Sequence, residues 1–270
     1  MEQKPGPGAK ESKPERRRGS SLAEIHRPEN LGIAAAIAVC DEVVGHGGAE
    51  SGPEVEDCPE PTLQVAALAS WASESDLWVP GLVPDELKDA GTREHFLFHR
   101  DEEPDRIFKI TKGPGFGVFP AALTSALGIR PVRYWFADRA ASPREYLRRL
   151  WLSNLEMMSH LDPEAYPVLT RLEGFVMRDG NLQIVISQPI FEGVPATETD
   201  IAGWFRMQGF VFLRAYTWFR EADGLAVFDT WRDNIMVCKG QIVPFDVIPI
   251  HTEGVLLESM KAAAIKVKMR

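Results

Sequence analysis

The chain predicts an α+β domain in two lobes, on three observations. A hairpin, a strongly signalled helix and a second hairpin follow one another in its first half. A Pro-containing connector over residues 187–193 then leads into a part with one helix and several short strands. The 270 residues, 44% hydrophobic and 26% charged, have the ordinary make-up of a globular chain with room for one large or two small cores.

Residues 1–21 carry Lys, Arg, Gly, Pro, Glu and Ser with almost nothing to bury, which reads as a disordered tail. Its Arg16-Arg17-Arg18 stretch reads as a solvated charge run, ahead of a contact for an acidic partner. Leu31 to Val44 suits a short Ala-rich helix, and the Gly-, Pro- and acid-rich stretch over 45–61 reads as a linker. The expected division is a tail and linker over 1–61, the domain over 62–254, and a tail or short helix over 255–270.

Within the domain, Thr62 to Ser75 has helical spacing. His95–His99 and Arg106–Thr111 form a hairpin around an acidic turn. Ser142-Pro143-Arg144-Glu145 opens a helix with Ser as N-cap, Pro in the first turn and Glu three residues after the cap. Val168–Met177 and Leu182–Ser187 pair across Arg178-Asp179-Gly180-Asn181, whose Asp-Gly favours a tight hairpin turn. Thr197 or Thr199 caps a helix running to about Gln208. Phe210–Arg220 is extended, Leu225–Phe228 is a strand ending at Asp229, and Ile235–Cys238 with Gln241–Phe245 make a last hairpin.

The chemistry concentrates at the end of this series. Asp229 ends an apolar strand, where a carboxylate can orient a hydroxyl. Asn234 offers a hard amide oxygen suited to Mg²⁺. Asp246 lies between the apolar runs 242–245 and 247–250, where an unpaired charge is costly and a metal ion is a natural partner. Taken singly, Asp229 and Asn234 read as turn residues. Together, in this order, they form the polar skeleton of phosphoryl transfer from ATP with Mg²⁺.

Lys109, inside Ile107-Phe108-Lys109-Ile110, is the candidate cation for the nucleotide phosphates, although strand alternation also allows it to face solvent. Glu145 is the expected carboxylate partner of Lys109 and equally a capping residue; Glu156 is the alternative. Backbone groups at Gln188 and Ile190 in the connector are placed to meet adenine. A phosphate loop is poorly signalled, with Gly91-Thr92-Arg93-Glu94 the only candidate ahead of Lys109.

The totals exclude several classes. A formal charge of −9 argues against a broad nucleic-acid-binding face. Cys40, Cys58 and Cys238 are odd in number and widely spaced, which suggests neither a disulfide framework nor a zinc site and makes the cytoplasm the expected compartment. The Leu31–Cys40 run is too short to span a bilayer, and the first residues lack the apolar core of a secretory signal. No membrane partner is expected.

Glu94-His95, Arg106–Lys109, Ser142–Leu147, Ser187-Gln188-Pro189 with Glu192-Gly193, Asp229 and Asn234, and Val243–Pro249 together resemble the compact bacterial kinase-like domain of polyvalent proteins of phages and mobile elements. The resemblance spans about residues 62–254. It implies a two-lobed protein-kinase-like fold with a small strand-rich N-lobe and a reduced C-lobe. It also implies Lys109 on the phosphates, Asp229 as catalytic Asp, and Asn234 and Asp246 on Mg²⁺. Val227-Phe228 stand where kinases carry a His-Arg pair before the catalytic Asp, and Trp231-Arg232-Asp233 fills the catalytic loop. Little sequence follows Asp246 for a peptide-binding region, so a small-molecule acceptor is as compatible as a protein. A nucleotide-binding interaction module without turnover is the alternative expectation.

Overall fold

The computed structural model describes residues 28–47, 61–87, 89, 92–113, 115–122 and 136–268. The predicted tail over 1–21, most of the predicted linker and Gly91 of the candidate phosphate turn lie outside them. The architecture is mixed α+β, with several antiparallel sheets and five α-helices among the described residues.

Four strands make the first sheet: β1 (His95–Phe98), β2 (Arg106–Thr111), β5 (Arg171–Arg178) and β6 (Asn181–Pro189), in the order β1-β2-β6-β5, all antiparallel. A small hairpin, β3 (Val118–Ala122) with β4 (Phe136–Ala140), stands apart. The sheet separates two apolar clusters because strand side chains alternate between faces. Leu182, Ile184 and Ile186 pack with the helices, while Phe108, Ile110, Val176 and Val185 pack on the other side with Phe98.

Three helices cover the first face: α1 (Pro28–Gly47), α2 (Pro61–Glu74) and α3 (Pro143–Leu152). Ser142 caps α3 with a complete capping box, as its sequence signals. Helix α1 is longer than the Ala-rich stretch suggests and belongs to the core. Its Ile33, Ala36 and Cys40 are fully buried, and Asp41 pairs with Arg144 and Arg148 of α3. The packed unit therefore begins before residue 62, correcting the expected boundary. Below α3 the chain continues through a π turn at Ser153–Met157. There Asn154 donates to Asn30 Oδ1 (2.8 Å) and the Thr170 carbonyl (2.7 Å) and accepts from the Thr170 amide (3.2 Å).

Gly174 is required at the bulge in β5. Its φ is +149°, and a Cβ there would stand 2.3 Å from the Leu77 carbonyl oxygen, because residues 77–79 run hydrogen-bonded along this edge of the sheet.

Beyond the connector, β7 (Val194–Pro195) leads to α4 (Glu198–Met207), capped by Thr197 with Asp200. The stretch Phe210–Arg220 resolves into a hairpin, β8 (Val211–Arg214) and β9 (Thr217–Arg220), and joins β10 (Leu225–Phe228) and β13 (Ile248–His251) in the order β13-β10-β9-β8. Leu225 and Val227 face a core formed with Trp204, Phe205 and Trp218. Ala226 and Phe228 face α5 (Gly254–Lys268), whose Met260, Ala263 and Ala264 are buried. The last segment is thus a packed helix. A third sheet, β12 (Gln241–Pro244), β11 (Ile235–Cys238) and β7, completes this half.

Candidate functional site

Lys109 is on the helix-facing side of β2, the third residue of an otherwise apolar run. Its side chain is only 8% exposed, and its Nζ donates to Asp246 Oδ1 at 3.0 Å. Asp246 lies between β12 and β13, with its side chain still 42% exposed. Burial alone would raise its carboxyl, but Lys109, Arg149 and His95 outweigh this and hold it below the usual range.

Asp229 follows β10 directly, in the left-handed region at φ +57°. Among side-chain-bearing residues Asp is one of the few that tolerates this conformation. The residue is open to solvent on one side. Partial burial on the other raises its carboxyl, the Asn234 side chain opposes the rise, and the nearby Asp246 charge adds to it. Asn234 Nδ2 donates to the Asp229 carbonyl at 2.8 Å, and the Asn234 carbonyl accepts from the Phe245 (3.2 Å) and Asp246 (3.4 Å) amides. Three polar residues from two loops are thereby tied into one unit beside Lys109.

The other expected residues divide. Gln188 is buried and, with Lys109, Arg149 and Asp246, lines a cavity of about 20 Å³, room for a single water. Ile190 is 38% exposed, and its amide is already donated to the Asp105 carbonyl at 2.8 Å, so that N–H is not open to adenine. Glu145 is not the partner of Lys109. Its carboxylate accepts from the Ser142 amide and pairs with Arg139, since a capping-box glutamate must turn back toward its own helix start. Glu156, the alternative, pairs with Arg220 at 2.7 Å.

Helix α3 instead presents Arg149 to the site. Its guanidinium is bidentate on Glu94 (2.9 and 2.5 Å) and donates to the Val118 carbonyl (3.4 Å), while the Val118 amide donates to Glu94 Oε1 (2.8 Å). Burial raises the Glu94 carboxyl, but Arg149 reverses the effect and leaves it lowered. Beside them, His95 shares a 2.8 Å hydrogen bond between Nε2 and the Tyr146 hydroxyl. Burial, with Lys109 nearby, pushes His95 down to about 3, so it is neutral at pH 7. Arg149 was not singled out in the sequence, because Arg144 and Arg148 share its helix and nothing local marks which guanidinium is buried.

The oxygen donors suit Mg²⁺, which takes carboxylate and amide oxygens and keeps waters and substrate phosphates in its shell. Asn234 commits its NH₂ group to Asp229, which leaves the amide oxygen as its ligand atom. No group of three His, Cys, Asp or Glu suited to a metal occurs among the described residues, so a protein-only cage is not built here. Nor is any helix among them long and apolar enough to cross a membrane. No protein family, curated protein or solved structure matches the chain.

Proposed function

We propose that this chain is a kinase-like phosphotransferase that binds ATP with Mg²⁺ and delivers the γ-phosphoryl to a hydroxyl. The observation that carries this reading is convergence. Lys109 from the first sheet meets Asp246 at 3.0 Å, and Asn234 ties Asp246 to the loop of Asp229. Such a transfer needs phosphates held, metal charge fixed and an acceptor aimed, with little covalent work by the protein. Lys109 takes the phosphates, Asn234 and Asp246 hold Mg²⁺, and Asp229 accepts the hydrogen bond of the acceptor hydroxyl. Bound Mg²⁺ neutralises phosphate charge. The sheet-bearing half and the half beyond residue 193 are the two lobes of a protein-kinase-like fold, with Gln188 near the nucleotide.

One observation favours a module that binds nucleotide without turnover: α3 offers Arg149, not a carboxylate, to the site, so Lys109 is neutralised by the metal-binding Asp246 itself. Thermal melts with ATP, with and without Mg²⁺, and transfer of labelled γ-phosphoryl to a hydroxyl-acceptor panel separate the readings. A Mg²⁺-dependent rise in the melt, lost in Asp246→Asn, is expected with transfer; the rise alone indicates the module. Identical melts under all conditions refute both.

A further inference from the structure

The Glu94–Arg149 pair lies one layer behind Lys109–Asp246 and points one way. Arg149 lines the small cavity with Lys109, His95, Gln188 and Asp246; Glu94 does not. The pair is held from both ends, because the Val118 amide bonds Glu94 and the Val118 carbonyl receives Arg149. Three segments, the lead into β1, the start of β3 and helix α3, meet at this node. Lys109 and Arg149 are the two cations that line this cavity with Asp246, and both hold its carboxyl below the usual range.

We propose that Arg149 is a positioning residue of the phosphate subsite, its guanidinium fixed by Glu94 so that its charge shares Asp246 and leaves Lys109 exchangeable onto the phosphates of a nucleotide. The inference rests on the nucleotide reading above. A cation at this place lowers the cost of moving the Lys109 amine from Asp246 to a phosphate, because Asp246 keeps a positive neighbour when Lys109 leaves. Arg suits this position because its planar fork holds both Glu94 oxygens and stays charged when buried.

The test uses the full chain and two probes, the non-hydrolysable nucleotide AMP-PNP with Mg²⁺ and adenosine, titrated by calorimetry. The double variant Glu94→Gln with Arg149→Met removes both charges together, strands no buried charge and keeps an acceptor for the Val118 amide, so its melting temperature is expected to fall far less than that of Arg149→Met alone. Its affinity for AMP-PNP with Mg²⁺ should fall by about tenfold or more while adenosine binds as before. Arg149→Lys is the second variant: it keeps a cation beside Glu94 without the bidentate fork, and a phosphate-selective loss of about threefold is expected. Unchanged AMP-PNP affinity in both variants, or an equal loss for adenosine, overturns the proposal and assigns the pair to packing alone. Failure of the wild type to bind AMP-PNP overturns the nucleotide reading, and the proposal falls with it.

Discussion

Two ion pairs meet at one cavity and are built differently. Glu94–Arg149 is closed: bidentate, with side chains 16% and 6% exposed, and tied at both ends to Val118. Lys109–Asp246 is open on one side only: one contact at 3.0 Å, from a lysine 8% exposed to an aspartate side chain 42% exposed. A pair that needs both fork contacts and buried neighbours holds the fold together, and removing one member strands a charge. A pair with a single contact and an open side can exchange partners at little cost to the fold. The difference separates scaffold from site more sharply than residue type does, since each pair is one base and one carboxylate.

Breaking the closed pair has the largest expected effect. Arg149→Met alone leaves the Glu94 carboxylate buried without its cation, and chemical denaturation should show a loss of about 3–5 kcal/mol. Adding Glu94→Gln should restore most of it, because a neutral pair of similar shape is not penalised. A single variant as stable as the wild type would show that water reaches Glu94 and that the pair is not sealed.

Acid sharpens the same comparison. His95 is ordinarily a group of pKa 6.5 and is pushed down to about 3 by burial and Lys109. Below pH 6.5 the unfolded chain takes up a proton that the folded His95 refuses until about pH 3. The contribution of the neutral ring is therefore complete above pH 6.5 and declines as pH falls from 6.5 toward 3, by a few kcal/mol in all. The carboxyls of Glu94 and Asp246, both lowered from ordinary values of 4.5 and 3.8, add to the slope mainly below about pH 5, in the same direction as His95. His95→Gln should flatten the stability–pH curve from pH 6.5 down to about pH 5, and an unchanged curve would mean that His95 is protonated in the folded chain.

The open pair gives a smaller effect of the opposite kind. Lys109→Met should lower stability by about 1–3 kcal/mol, less than Arg149→Met, because the Asp246 side chain it leaves is still partly exposed. Affinity for ATP with Mg²⁺ should fall by about 10- to 100-fold, read by calorimetry. A variant strongly destabilised yet still binding nucleotide would exchange the roles assigned to the two pairs.

What the sequence discloses follows from how local each signal is. The caps at Ser142 and Thr197, the Asp179-Gly180 hairpin and the strand at 225–228 involve side chains bonding to backbone a few residues away, and they appear as read. Lys109 and Asp246, 137 positions apart, were legible singly, because each interrupts an apolar run, although the expected partners were a helix carboxylate and Mg²⁺ and not each other. Glu94–Arg149, 55 positions apart, was not legible. Arg149 shares its helix with Arg144 and Arg148, which pair with Asp41 on α1, and the sequence alone does not tell a buried guanidinium from its partly exposed neighbours. The place of α1 was missed for a similar reason: its alanines look merely helical, and most of the core that Ile33 and Cys40 join, like the partners of Asp41 and Asn30, lies more than a hundred positions away.

Glu145 supplies the smallest effect and the cleanest division between local and distant roles. The expectation that it serves Lys109 and the observation that it caps α3 compete for one carboxylate, and the cap wins because Ser142 and Arg139 are within reach of the first turn. Glu145→Ala should therefore lower stability by about 1 kcal/mol, the usual worth of a capping interaction, with Ser142 still bonded to the Glu145 backbone position. Nucleotide affinity should not move, since no contact joins Glu145 to Lys109 or Asp246 among the described residues. A loss of ATP binding in this variant, with the cap energy unchanged, would mean that α3 rotates when nucleotide arrives and brings Glu145 to Lys109. In that event the Arg149 arrangement describes only the nucleotide-free state, and the closed pair would have to open during binding.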